Sequence, residues 1–185
     1  LNRFVQNLLD MTKLGAGALR PRVDWVDLHD VVHAAVERSR RLARSHMVKT
    51  DIADDVPLLS IDATLIEQVF FNLLDNACKY SPPGTVITVW ARRREDHVTL
   101  EVCDQGPGIP VEDRDKVFDM FYRVLATDSQ SAGTGLGLAI CRGIVEAHGG
   151  TVTAEPGLHS CGTCIVIHLP LPPDAPEPVL ESVPS

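Results

Sequence analysis

Along residues 62–84 the chain reads D-A-T-L-I-E-Q-V-F-F-N-L-L-D-N-A-C-K-Y-S-P-P-G. Leu65, Ile66, Val69, Phe70, Leu73 and Ala77 recur with the 3.6-residue period of a helix that buries one face. A second stripe, Gln68, Asn72, Asn76, Lys79 and Tyr80, shares another face at spacings of three and four. Asp62 is the expected N-cap, and Pro82-Pro83-Gly84 stops the helix. Three carboxamides, an ammonium and a phenol on so apolar a helix point to a polar ligand. Pairing with buried backbone groups is the competing use of such amides.

The remaining pattern predicts a mixed fold. Residues 1–14 are expected to form an amphipathic helix, broken by Gly15-Ala16-Gly17 and Pro21, whose apolar face needs a partner helix missing from this chain or supplied by another copy; packing against the main domain is the alternative. A second helix is expected over 27–45, with Leu28, Val31, Val32, Ala35, Val36 and Leu42 on one side and a solvated run of Arg38, Arg40, Arg41 and Arg44. Short strands are expected around 48–52 and 58–61, then an alternating pair at 85–91 and 98–103 joined by a turn at 95–97. Residues 111–123 read as irregular or weakly helical, and 125–132 as a loop without period. A helix over 137–148 ends at Gly149-Gly150, and two last strands follow at 151–155 and 163–169. Hairpins interspersed with helices predict an α/β two-layer sandwich with a mixed, mainly antiparallel sheet. The organisation expected is a helical remnant at 1–20, one domain at 21–170 and a disordered or extended tail at 171–185. Residues 170–185 hold six of the 13 prolines.

A chain of 185 residues has room for one sizeable core, and no run reaches the ~18–20 apolar residues of a membrane span. Nothing resembles a secretory leader, and the opening Leu1 suggests a piece of a longer protein. A net charge of −8 argues against a nucleic-acid surface but not against a small anionic ligand, which responds to local cations and helix ends. The five cysteines are scattered; Cys161-x-x-Cys164 lacks the second pair or histidines of a zinc site and enters a strand rather than a helix. They are expected to be plain structural thiols in a reducing compartment.

Two glycine-rich stretches carry the remaining chemistry. Asp104-Gln105-Gly106-Pro107-Gly108-Ile109-Pro110 directly follows a strand. Its glycines allow close approach of backbone to a flat ligand, and a carboxylate there can accept from an exocyclic amine. A tight turn is the alternative use. Gly133-Thr134-Gly135-Leu136-Gly137-Leu138 opens a helix, where bare amides and the helix dipole favour phosphate. It is neither a Walker loop nor a dinucleotide fingerprint, and a glycine hinge is the alternative.

The order of these features within about 70 residues resembles the ATP-binding catalytic domain of bacterial sensor histidine kinases, in the gyrase/heat-shock-protein-90/kinase superfamily. Residues 72–80 match its N box, 104–108 its first Gly box, 118–121 its F box and 133–138 its second Gly box. The phrases N-L-L-D-M-T-K-L at 7–14, L-H-D-V-V from Leu28 and G-L-A-I-C-R-G-I-V-E-A-H-G-G from Gly137 are similar to the potassium-responsive KdpD group.

The resemblance implies a Bergerat-type fold and the cofactors ATP and Mg²⁺. Asn76 would hold the metal, Lys79 and Arg123 would offset phosphate charge, and Tyr80 would lie along the nucleotide. Asp104 would read adenine N6, with Gly106, Gly108, Ile109 and Phe121 around the base. Gly133, Thr134, Gly135, Leu136, Gly137 and Leu138 would close a lid spanning 110–133 over the phosphates. Asn72 stands where hydrolysing relatives carry a water-activating Glu, and an amide is no general base. Asn72, Asn76 and Lys79 would therefore serve transfer to a separate nucleophile rather than hydrolysis. None of the seven histidines has a phosphoacceptor context; residues 1–14 would be the second helix of the dimerisation and phosphoacceptor hairpin, and its acceptor helix would be missing from the chain. The partners implied are that hairpin, a response regulator and a second copy in the full-length protein. The chain itself would be soluble and cytoplasmic, its parent membrane-bound. A hydrolysing ATPase and a nucleotide-sensing docking module are the rival readings.

Overall fold

The computed structural model describes residues 19–124, 135–157 and 161–176. The helix expected at 1–14, the loop at 125–132, and Gly133 and Thr134 lie outside the described residues. Strand β1 (Asp24–Val26) and helix α1 (Leu28–Ser39) come first, followed by β2 (Met47–Ile52) and β3 (Leu59–Ile61). Helix α2 (Ala63–Tyr80) leads to β4 (Val86–Arg93) and β5 (His97–Cys103). Helix α3 (Gly137–Ala147) precedes β6 (Thr151–Pro156) and β7 (Thr163–Pro170).

Five strands form one sheet in the order β2-β4-β5-β7-β6, with β2 parallel to β4 and every other pairing antiparallel. The period of two puts Ile87, Val89 and Ala91 of β4, Val98, Leu100 and Val102 of β5, and Ile165, Ile167 and Leu169 of β7 on one buried face. Against it pack Val31, Val32 and Ala35 of α1, Ile66, Val69, Phe70 and Leu73 of α2, and Ile140, Ile144 and Val145 of α3. Each Val, Leu, Ile or Phe among them contributes about 1.5–3 kcal/mol when fully buried. This is the expected two-layer α/β sandwich.

Asp62 begins α2 as expected, its carboxylate accepting from Leu65 N at 3.1 Å. It also accepts from Arg22 N at 2.9 Å, and its own N–H donates to His148 Nε2 at 3.0 Å. His148 Nδ1 faces Ile144 O at 2.8 Å, so the imidazole joins the end of α3 to the start of α2. Beside this joint, β1 pairs with β3 as a separate two-stranded sheet, a three-residue strand too short for a sequence pattern to reveal.

Of three expectations, two need correction and one is narrowed. The helix expected over 27–45 is α1 plus a separate 3-10 turn, Ala43–Ser45. Ser39 Oγ bonds back to Ala35 O at 2.8 Å, and Leu42 N bonds to Ser39 O, which tightens the chain out of the α register. The tail, expected to be disordered or extended, is held by contacts through 176. Leu171 N donates to Asp96 O and Pro176 O accepts from Leu58 N, both at 2.9 Å, and Ala175 N donates to Pro172 O in a turn, so 171–176 is a strap across the domain. Residues 177–185 lie outside the described residues. Third, Cys103 and Cys164 are not thiols but are joined by a disulfide, while Cys78, Cys141 and Cys161 are free. Sixty-one positions separate the bridged pair, and only the β5–β7 register makes them direct partners.

Candidate nucleotide site

The polar stripe of α2 divides in two. Asn72 is buried, and its Nδ2 is an inaccessible atom with no hydrogen-bond partner among the described residues. Its carboxamide neighbours the Cys141 thiol of α3, which burial pushes up to about 12. Asn76, one turn on, is only partly buried and faces the first residue of α3. A Cβ added to Gly137 would stand 3.8 Å from Asn76 Nδ2 and 3.9 Å from its Oδ1. Glycine there leaves the carboxamide and the helix N-terminus bare toward one another, a combination of oxygen donor and anion-favouring amides. Lys79 is paired with Asp75 of the same helix at 2.5 Å, a buried carboxylate that sequence reasoning overlooked. Asp75 offsets part of the ammonium's charge and fixes its direction.

The end of α2 meets the first glycine stretch. A Cβ on Gly106 would come within 2.8 Å of Tyr80 O, so only glycine lets this loop lie against the helix end. Asp104 closes the same corner: its Oδ1 accepts from Gly106 N at 2.8 Å and from Thr163 N at 3.2 Å, while its backbone N donates to Thr163 O at 2.8 Å. Gly162 beside it has φ +80, and an added Cβ would sit 2.0 Å from Asp104 O. Gly162 and Thr163 therefore belong to the site although sequence reasoning missed them. The only signal was a glycine at the mouth of a strand. Ile109 packs on the edge of the core.

Burial pushes the Asp104 carboxyl above its ordinary value, opposed by the two backbone N–H donors. A raised carboxyl favours the fold while protonated. That contribution is complete below the unfolded value of about 3.9 and is lost as pH rises through the folded one. Asp104→Asn keeps an oxygen for both donors and removes the buried charge. It is expected to raise the urea midpoint near neutral pH, with the gain vanishing below about pH 4. A gain that is unchanged across that range would contradict the assignment.

The second glycine stretch meets the F-box region. Phe121 N donates to Gly135 O at 2.9 Å, which brings the chain leaving the 3-10 turn Lys116–Phe118 to the entry of α3. Both residues are left-handed, Phe121 at φ 64 and Gly135 at φ 69, and a Cβ on Gly135 would touch Phe121 Cα at 2.8 Å. The Phe121 ring is exposed, as is Arg123. Tyr122 donates to Asp113 at 2.6 Å and Arg142 to Asp119 at 3.2 Å, tying this segment to its surroundings. Leu136 is fully buried, so its side chain belongs to the core; Leu138 packs at the core's margin.

The structure thus gathers Tyr80, Asp104, Gly106 and Gly108 at one corner and Asn76 with Gly137 near the start of α3. A cavity of about 630 Å³ lies elsewhere, between α1 and the edge strand β2, and none of these residues borders it.

Residues 61–173 match the family model described as histidine kinase-, DNA gyrase B-, and HSP90-like ATPase. The chain is 42% identical over 155 residues to the sensor protein KdpD of Clostridium acetobutylicum, covering 83% of this chain and 17% of that protein. To KdpD of Escherichia coli it is 37% identical over 168 residues, 91% of this chain and 18% of the relative. It therefore spans under a fifth of the length of these relatives. Among solved structures, the mycobacterial sensor histidine kinase MprB superposes with a TM-score of 0.71 at 34% identity, over 80% of this chain and 97% of that one. Full-length ShkA in complex with AMPPNP gives 0.79 at 25% identity, over 94% of this chain and 36% of that one. The chain belongs to the histidine kinase-, DNA gyrase B- and HSP90-like ATPase family.

Proposed function

We propose that this chain is the ATP-binding catalytic part of a two-component sensor histidine kinase, in which the γ-phosphoryl of Mg-ATP passes to a histidine on a separate helical hairpin and then to a response regulator. The observation that carries the reading is the corner where Asp104, held by Gly106 and Thr163, meets a glycine-lined backbone. A carboxylate fixed by two backbone donors keeps a lone pair for an exocyclic amine, as adenine N6 requires. The phosphates would run toward α3, where Gly135 and Gly137 leave amides bare, with Lys79 and Arg123 as cations and Tyr80 along the nucleotide. Gly133, Thr134 and Leu138 would contribute to the closing segment, and Phe121 and Ile109 would flank the base.

Mg²⁺ suits the Asn76 carboxamide oxygen, a hard neutral donor beside an anion site, and when bound it would supply charge compensation to the phosphates. The chain's own contribution is positioning: it binds, orients and screens the transferred group. The likeness to KdpD proteins favours potassium or osmotic signalling within a membrane-anchored dimer whose kinase domain faces the cytoplasm. No helix among the described residues is long and apolar enough to cross a membrane. Asn72 favours transfer over hydrolysis, because a buried carboxamide cannot take a proton from water.

A calorimetric titration with Mg-ATP, with free phosphate followed in the same sample, tests the reading. Binding without phosphate release is expected. Steady turnover would overturn the donor role in favour of a hydrolysing ATPase, and absence of binding would overturn the site.

A further inference from the structure

The Cys103–Cys164 bridge is not used by anything described above, yet it sits one residue from the corner that is. Cys103 ends β5 and is followed by Asp104; Cys164 is preceded by Thr163 near the start of β7. The two cysteines are direct cross-strand partners at the end of the ladder, and just past them Asp104 N donates to Thr163 O. Thr163 N then turns to the Asp104 side chain. The covalent link and the hydrogen bonds that aim the carboxylate therefore share one strand end. The bridged Cα atoms are 4.0 Å apart, closer than the ~4.5 Å of a pair outside the hydrogen-bonded rungs. Beyond them the ladder stops, and Gly162, which passes against Asp104 O, begins the turn.

We propose that the Cys103–Cys164 pair is a redox-sensitive clamp on the adenine end of the nucleotide site. Bridged, it holds Asp104 against Thr163 and favours the base; opened to two thiols, it lets the strand ends part and weakens base binding. The inference rests on the reading of Asp104 as the adenine contact. Closure proceeds by exchange with a low-molecular-weight disulfide of the glutathione class. One cysteine thiolate attacks that disulfide, forms a mixed disulfide and releases one small thiolate. The second cysteine thiolate then displaces the other small thiolate, and the two protons lost by the cysteines end on the two released thiols.

Both sulfurs are buried, Cys103 at 2% and Cys164 at 5% exposure, so exchange requires the strand ends to open. A ligand that holds them closed must oppose it. By linkage, if the bridge tightens ATP by some factor, ATP stabilises the bridge by the same factor. Burial pushes the Cys78 thiol up to about 11 and Cys141 to about 12, which leaves Cys161, exposed, as the competitor for exchange.

The test uses the 185-residue chain with Cys161→Ser, equilibrated in glutathione buffers of graded ratio. The bridge is counted by mass after alkylation, and affinities are measured for Mg-ATP and for inosine triphosphate, which lacks the exocyclic amine. The bridged form is expected to bind ATP about fivefold tighter or more, with a smaller change for inosine triphosphate. Saturating ATP should move half-reduction to a more reducing ratio by a matching factor. Cys103→Ser should hold the open-state affinity in every buffer. Equal ATP affinities in forms shown by mass to be bridged and open would overturn the clamp. Asp104→Ala separates the two failures: if it changes ATP affinity while redox state does not, the clamp alone falls. If Asp104→Ala has no effect, the base contact falls and the clamp with it.

Discussion

Gly162→Ala is expected to cost about 2–5 kcal/mol of stability and to remove most nucleotide affinity. Two penalties combine. The residue sits at φ +80, where a Cβ costs about 1–2 kcal/mol. The new carbon would also stand 2.0 Å from Asp104 O, 2.6 Å from Asp104 C and 2.8 Å from Gln105 Cα, all backbone atoms that no rotamer change can move aside. Relief requires the β5 end and the 162–163 turn to separate, which withdraws Thr163 N from the Asp104 carboxylate. Gly84→Ala is the control: at φ +85 it carries the same conformational penalty with nothing within 4 Å. It should lose only about 1–2 kcal/mol and leave affinity alone. Urea midpoints and ATP titrations on both variants check this, and similar losses for the two would mean that the Gly162 contact is relieved without disturbing the site.

Asn76→Ala and Asp104→Ala are expected to separate by their response to magnesium. Asn76→Ala should abolish the gain in ATP affinity that Mg²⁺ confers and leave Mg-free binding nearly unchanged, since only the metal ligand is lost. Asp104→Ala should weaken ATP with and without Mg²⁺. A hydrogen bond to a charged group is worth about 1.5–3 kcal/mol, or roughly 10- to 100-fold in affinity. Titrations of each variant with ATP in magnesium and in chelator decide the matter. Equal, Mg-independent losses would sink the division of labour between the two ends of the site. Asp104→Ala also strands the Gly106 and Thr163 N–H groups, so its stability must be followed alongside; Asp104→Asn spares both and isolates the charge.

Much of this was legible without coordinates because it is local. The apolar stripe from Leu65 to Ala77, the Asp62 cap and the stop at Pro82-Pro83-Gly84 depend on residues within a turn or two of one another, and the helix Ala63–Tyr80 follows them. Alternation in 85–91 and 98–103 was enough to predict strands there. The glycines at 106 and 108 were expected to let the backbone approach a flat ligand; in the structure Gly106 lies against Tyr80 O of the helix end. The arginine run after Arg38 was read as a longer helix because helix period alone does not register the back-bonding of Ser39. The proline-rich composition of 171–176 obscured a strap whose two anchors, Asp96 and Leu58, are distant in sequence.

The sequence by itself determined the fold class, the element order and the two glycine-bearing stretches, since periodicity and backbone freedom are properties of neighbours. Only the tertiary structure decided that Thr163 holds Asp104 across 59 positions and that His148 caps the joint with Asp62 across 86. It alone made Cys103 and Cys164 partners. The reason is physical: hydrogen bonds and disulfides form at specific distances, and strand register and helix docking bring chosen side chains within that range.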